Sequence, residues 1–240
     1  MNKNIILAAV ILAAGKGERI QNYSKTAKPF MMIGSKPLIC YVIDNLIAVG
    51  IRKIYIVKYN EHCFESIVRR YKTQDIIFKF IEDKRQLGSL YTLSLVEKIE
   101  EENFICTDCD IISSEREFVQ MIQSGITTFF SANIDGVIAK IESPSAVDPN
   151  MLFIRNNRAK AFRKEGIENG IRGGYVYIFS KNIFPFCKTL LDNNCYSMSV
   201  FLDFIMRKME IGVMSIKDMW DIDTEEDIYY TNDKLQRKIK

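Results

Sequence analysis

"VILAAGKGER", Val10 to Arg19, reads as a buried strand that runs straight into a glycine loop. A near-copy of its apolar half, "IILAA" at Ile5 to Ala9, lies just upstream, but only the second copy is followed by Gly15, Gly17 and Arg19. A strand ending in such a turn suits phosphate binding, because glycine lacks a Cβ and lets backbone N–H groups approach anionic oxygens. Two common versions of the device do not fit. The dinucleotide fingerprint needs a third glycine where Ile20 stands, and the P-loop pattern G-x-x-x-x-G-K-[ST] is absent. A third pattern, L-A-A-G-x-G-x-R with a later lysine and proline, fits Leu12, Ala13, Ala14, Gly15, Gly17, Arg19, Lys28 and Pro29.

Outward from the loop, strand-like and helix-like stretches alternate. "KIYIV" (Lys53 to Val57), "DIIFKFI" (Asp75 to Ile81) and "NFICTD" (Asn103 to Asp108) read as buried strands. "SKPLICYVIDNLIAVG" reads as a helix capped by Ser35 and stopped by Gly50. "EHCFESIVRRY" and "LYTLSLVEKIEE" repeat apolar residues at helical spacing. This order predicts an α/β fold, a Rossmann-like and mostly parallel twisted sheet with helices on both faces. After about Thr127 the pattern shifts to short strands ("GVIAKI", "MLFIR", "KAFRK", "GGYVYIF"), then two helices, the strand "GVMSI" and a last helix that Thr224 can cap. The expected organisation is one domain over 1–240. Its two halves are residues 1–126 and a mixed second half, residues 127–240, that ends in the C-terminal helix.

Composition narrows the function classes. With 48% apolar residues the chain can build a large core. Its 33 basic residues exceed its 30 acidic ones by only three, and the charges are scattered, which argues against nucleic acid as a partner. No apolar run is long enough to span a membrane. Lys3 and the following apolar run mimic a signal peptide, but cleavage there would destroy the strand-loop unit. Six cysteines in a chain of this length read as reduced thiols, which favours a cytoplasmic setting. Cys106 and Cys109 form one C-x-x-C without a second, and the single histidine, His62, cannot complete a zinc site with them. Nothing in the sequence specifies an oligomeric state.

Five segments in order resemble the nucleotidyltransferases that activate sugar phosphates and related phosphorylated metabolites, the MobA-like NTP transferase fold. They are "LAAGKGERIQNYSKTAKPF", "GSKPLICYVIDNLIAVGIRKIYIV", "RQLGSLYTL", "CTDCDII" and "WDIDTEEDI". The resemblance implies attack by an acceptor phosphate oxygen on the α-phosphorus of a nucleoside triphosphate, with pyrophosphate leaving. That nucleophile is already an anion, so the reaction requires charge neutralisation and alignment and no histidine or serine triad. By the resemblance, Arg19, Lys28 and Asp110 are catalytic. Leu12, Ala13, Ala14, Gly15, Gly17, Gln86, Gly88 and Ser89 bind the nucleotide. The cofactor is Mg²⁺, held by Asp110 (Asp108 being the alternative) and by Asp221 or Asp223. At Asp223 a helix-capping role competes with metal binding.

The acceptor side departs from the sugar-nucleotide branch. Its E-K-P run is replaced by "FRKEG", and "IRGGYVYIF" stands where an N-A-G pattern is usual. "GSLYTL" and "DIDTEED" are closer to phosphocholine and aminoethylphosphonate cytidylyltransferases. The expectation is therefore CTP, with UTP second, and a small phosphorylated acceptor with a cationic head. Tyr91, Lys164, Tyr175 and Trp220 would bind that acceptor, with Tyr177 nearby, since aromatic faces hold ammonium groups. The alternatives are a sugar-1-phosphate nucleotidyltransferase making nucleotide sugars for cell-surface polysaccharide, and a non-catalytic nucleotide-binding regulator. A nicotinamide-dependent oxidoreductase would need an acid ending the second strand, where "IVKYN" stands.

Overall fold

The computed structural model describes residues 8–20, 26–59, 62–132, 134–143, 150–163 and 170–239, with side chains to residue 233. Strand β1 (Ala8–Ala13) leads through two 3-10 turns, Glu18–Ile20 and Lys28–Phe30, to a hairpin of β2 (Met32–Ile33) and β3 (Lys36–Pro37). Then come α1 (Leu38–Val49), β4 (Lys53–Tyr59), α2 (Glu65–Arg70), β5 (Ile77–Asp83), α3 (Ser89–Ser94) and β6 (Asn103–Asp108). Short β7 (Ile111–Ser113) precedes α4 (Glu115–Ser131), β8 (Gly136–Ile141), β9 (Met151–Arg155), β10 (Arg158–Arg163) and β11 (Ile171–Ser180). The chain continues with α5 (Phe184–Asp192), α6 (Met198–Ile205), β12 (Ile211–Ile216), β13 (Met219–Asp221) and α7 (Glu225–Ile239).

Nine strands form one sheet in the order β5-β4-β1-β6-β11-β8-β12-β10-β9. Strands β5, β4, β1 and β6 are mutually parallel, as are β12 and β8. β11 runs antiparallel to β6 and β8, and β10 antiparallel to β12 and β9, so these two oppose the rest. This is the expected mostly parallel α/β sheet. Every residue of β1 is buried, as a parallel strand covered on both faces requires. Its side chains alternate. Ala9, Ile11 and Ala13 pack under α1 and α4 with Ile43 and Phe118. Ala8, Val10 and Leu12 pack under α3, α5 and α6 with Leu90, Phe184 and Phe201. The position 126/127 falls inside α4, and the sheet takes strands from both sides of it.

Local expectations are met in part. Gly50 ends α1 in the left-handed region at φ 102°, its N–H donating to the last turn. Ser35 does not cap that helix. Lys36–Pro37 is drawn into the hairpin with Met32–Ile33, and the helix starts only at Leu38. The third helix is shorter than its periodicity suggests, and turns follow Ser94. The two C-x-x-C thiols face opposite ways, Cys106 toward the α3/α5/α6 side and Cys109 toward the α1/α4 side. They cannot pair across the sheet, and burial pushes both thiols well above their usual range. Residues 1–7, which include the leader-like start, lie outside the described residues. No described helix is long and apolar enough to cross a membrane.

Candidate active site

A cleft of about 530 Å³ opens where β1, β5 and β6 end at their carboxyl termini, the usual ligand position of an open α/β sheet. Leu12, Ala14, Gly15, Gly17 and Arg19 line it from the glycine loop. Gln86, Gly88 and Ser89 enter from the segment after β5, Asp108 and Asp110 from the end of β6, and Asp221 and Asp223 from the far end of the chain.

Lys28 is the centre of the charged floor. Its Nζ lies 2.5 Å from Asp110 Oδ2 and 2.6 Å from Asp223 Oδ1. Arg19 Nη1 lies 2.8 Å from Asp223 Oδ2, but its side chain is 72% exposed, so that pair adds little stability and leaves the guanidinium accessible to an anion. Backbone pairing brings the distant acids together. β13 pairs antiparallel with β7, opposing Asp221 to Ile111, and Ile222 N–H donates to the Asp110 carbonyl at 3.0 Å. Thr224 caps α7. Its Oγ1 accepts from Asp227 N–H at 3.3 Å, while the Asp227 carboxylate accepts from Asp223 N–H and Thr224 N–H. Capping therefore falls to Thr224, and the Asp223 carboxylate is aimed at Lys28.

The electrostatics follow from this crowding. Burial would lower the Lys28 pKa, but Asp110 and Asp223 outweigh it and hold the ammonium above the ordinary lysine range. Burial likewise pushes Asp223 up, while Lys28 and then Arg19 pull it below the usual carboxylate range. Asp108 moves the other way, raised by burial and then by Asp110. No set of three His, Cys, Asp or Glu among the described residues forms a ready metal cluster. What the site offers is two carboxylates, Asp110 and Asp223, converging on one cation. Hard oxygen donors in that number suit Mg²⁺, which takes one or two carboxylates and fills its remaining positions with water and phosphate oxygens.

The segment after β5 is tightly built. Gln86 stands in the left-handed region at φ 48°, and its Nε2 donates to the Ala14 carbonyl at 2.8 Å, tying this loop to the glycine loop. Gly88 has φ 146°, and a Cβ there would lie 2.7 Å from the Tyr196 carbonyl oxygen. The glycine is thus required by the packing of Tyr196 as well as by its φ. Gly88→Ala is expected to destabilise the chain by about 1–3 kcal/mol, lowering Tm by several degrees. If the cleft takes the triphosphate that the sequence resemblance implies, calorimetry should also show its binding weakened about tenfold or more. A variant with unchanged Tm and affinity would show that the close approach is not real.

Several expected site residues lie elsewhere. Strand side chains alternate, so the Ala13 side chain packs on the α1 and α4 side of the sheet, opposite Leu12, and only its backbone could serve the cleft, as expected of it. The same alternation turns Trp220 away from the cleft that Asp221 lines. Its ring packs against Tyr230 at 6.5 Å and beside the small cluster of Ile112, Ile222 and Ile228. Tyr91 is also absent from the cleft wall, and the Arg85 guanidinium lies 5.9 Å from its ring. Lys164 lies outside the described residues. Tyr175 does line the cleft, on a bulge of β11 where Gly174 (φ 110°) and Tyr175 (φ 64°) shift the register against β8. Its N–H donates to Tyr177 Oη at 3.0 Å, and Asn150 Nδ2 donates to its Oη at 2.9 Å. Asn150 and Phe162 also line the cleft, and no motif or spacing marks them in the sequence.

Residues 9–192 match the MobA-like NTP transferase domain. The chain belongs to that family. Among NTP transferase relatives, it is 23% identical over 97% of its length to a bifunctional protein GlmU of Methanococcus aeolicus, covering 55% of that protein. It is 31% identical over 75% of its length to a bifunctional sugar-1-phosphate nucleotidylyltransferase/acetyltransferase of Sulfurisphaera tokodaii, covering 42% of it. The chain thus spans about half the length of the curated relatives it matches. The inositol-1-phosphate CTP transferase from T. maritima superposes with a TM-score of 0.80 at 17% identity over 96% of each chain, which establishes the shared fold.

Proposed function

We propose that the chain transfers a nucleoside monophosphate from a nucleoside triphosphate to a phosphate oxygen of a small metabolite, with a sugar 1-phosphate as the favoured acceptor. The observation that carries this reading is Lys28, held between Asp110 and Asp223 at the foot of the glycine loop with Arg19 beside it. Asp110 and Asp223 would hold Mg²⁺, with Asp221 adjacent, and the bound ion would supply charge stabilisation at the phosphoryl oxygens. Gly15 and Gly17 leave the backbone open to the triphosphate, and Arg19 neutralises it. Lys28 follows the charge that develops on the α-phosphoryl oxygens. An acceptor oxygen forms the new bond to the α-phosphorus as the bond to the bridging oxygen breaks. Pyrophosphate carries away the electron pair, so no side chain need move a proton.

The acceptor choice turns on the aromatics. A cationic head needs ring faces converging on it. Trp220 and Tyr91 lie off the cleft, which leaves Phe162, Tyr175 and Tyr177 as the aromatic residues that line it. Asn150, whose Nδ2 donates to Tyr175 Oη, adds hydrogen-bonding groups beside the phosphate floor that suit a sugar's hydroxyls, next to the apolar Met198 and Leu202. The name of the Sulfurisphaera tokodaii relative supports the same choice. For the donor, the small residues at Ala14 and Gly15 and the Gln86 amide leave room for one ring, so a pyrimidine triphosphate is favoured, CTP ahead of UTP. A non-catalytic nucleotide binder is disfavoured because Lys28 and both acids are in place. The cytoplasmic setting belongs to this proposal as well.

Pyrophosphate release from a matrix of four triphosphates against sugar 1-phosphates, phosphocholine and aminoethylphosphonate tests all of this. Turnover is expected with a pyrimidine triphosphate and a sugar 1-phosphate, and it should vanish on chelation of divalent cations. A best donor of ATP or GTP would overturn the base assignment. Efficient use of phosphocholine with every sugar phosphate inert would restore the amino-alcohol reading.

A further inference from the structure

We infer that Asp83 is the positioning residue for base selection: it locks the loop carrying Gln86 and Gly88 in its reading shape without touching the nucleotide. The inference rests on the nucleotidyltransferase reading above.

Asp83 is the last residue of β5, the edge strand of the sheet, and it is wholly buried. It is absent from the cleft wall, whereas Gln86, Gly88 and Thr92 line it. No ion pair among the described residues includes Asp83. Even Arg85, two residues on, turns its guanidinium toward Tyr91 instead. Hydrogen bonds alone satisfy the buried carboxylate. Oδ1 accepts from Arg85 N–H at 2.9 Å and Gln86 N–H at 2.8 Å, and Oδ2 accepts from the Thr92 hydroxyl at 2.8 Å. A carboxylate buried without a cation is unfavourable unless such donors are fixed around it.

The bonds converge on one short segment. Gln86 holds a left-handed backbone (φ 48°) that a non-glycine residue adopts only when its surroundings impose it. Asp83 imposes it by accepting the Gln86 N–H. The same Gln86 side chain donates to the Ala14 carbonyl, so its direction depends on that backbone. On the other side of the loop, Thr92 Oγ1 lies 3.2 Å from the Gly88 carbonyl oxygen as well as 2.8 Å from Asp83. One carboxylate therefore spans both ends of the loop whose middle faces the cleft. Removing it frees the loop but leaves Lys28, Arg19 and the phosphate floor intact. The loss should fall on the base and spare the triphosphate.

The test compares wild type, Asp83→Ala and Asp83→Asn. Each is titrated calorimetrically with the four nucleoside triphosphates and with inorganic tripolyphosphate, and kcat and KM are measured for the best donor. Asp83→Ala is expected to weaken the preferred triphosphate about tenfold or more and to collapse its preference over the other three. Tripolyphosphate affinity should stay within about twofold and kcat within about threefold, with the loss in KM. Asp83→Asn should recover most of the preference, since its carbonyl oxygen accepts both N–H groups and the Thr92 hydroxyl can accept from its amide. Equal weakening of all five ligands, or an unchanged preference in Asp83→Ala, overturns the inference. If Asp83→Ala does not fold, Thr92→Val should lower the preference in the same direction, and an unchanged preference there overturns it too. A wild-type chain that binds no triphosphate defeats both this inference and the nucleotidyltransferase reading. A preference that survives in Asp83→Ala, or in Thr92→Val where Asp83→Ala does not fold, defeats this inference alone.

Discussion

Asp110→Asn is expected to lower turnover by about 10²–10³-fold or more while leaving the fold in place. The substitution keeps the size and shape of the side chain and the backbone carbonyl that receives Ile222 N–H. It removes one of the two carboxylates that converge on Lys28. The remaining pair, Asp223 with Lys28 and Arg19, can hold the local structure but offers one charged oxygen ligand fewer. Tm should move by no more than about 5 °C, because the cluster loses one attraction to Lys28 and one repulsion with Asp108. Near wild-type turnover at saturating Mg²⁺ would remove Asp110 from the reaction. A collapse of Tm would reassign it to structure.

Lys28→Met should be nearly as severe, for a different reason. Methionine preserves much of the buried stem, which is only 10% exposed in Lys28, and deletes the ammonium. Turnover is expected to fall about 10²–10³-fold, the cost of losing a fixed positive group aimed at transition-state charge. Asp110 and Asp223 would then face each other without their shared cation. The destabilisation should be about 2 kcal/mol, less than for a fully buried pair because the cleft admits water. A second readout needs no activity. Millimolar Mg²⁺ should raise the Tm of Lys28→Met more than that of wild type, since the ion no longer competes with a built-in ammonium for the two carboxylates. A variant whose Tm ignores Mg²⁺ would mean that these acids do not form a cation site, and the proposed chemistry would lose its centre.

Much of this molecule is legible in local sequence. A strand buried on both faces must be apolar at every position, so "AAVILA" marks itself. Gly50 and Thr224 mark helix ends because their conformations and hydrogen bonds are local. The glycine loop with Arg19 and Lys28 is visible because its residue types stand at short, fixed spacing, whereas Asp110 is singled out only by the resemblance of "CTDCDII" to the family's segment. The sequence leaves open whether Asp221 or Asp223 meets Lys28. That choice depends on β13 pairing with β7, a contact across more than a hundred residues of chain, and on Thr224 taking the cap. The direction of Trp220 escapes the sequence for the same reason. Trp220 stands next to Asp221 in sequence, yet on a strand adjacent residues face opposite sides, so proximity along the chain sends it to α7. Asp83 carries no motif at all. Its role exists only because a buried carboxylate must find donors, and those donors are backbone N–H groups whose direction no residue type encodes. Sequence determines chemistry wherever it is local and periodic. Only the tertiary structure decides which distant groups share one cleft and which neighbours along the chain face away from it.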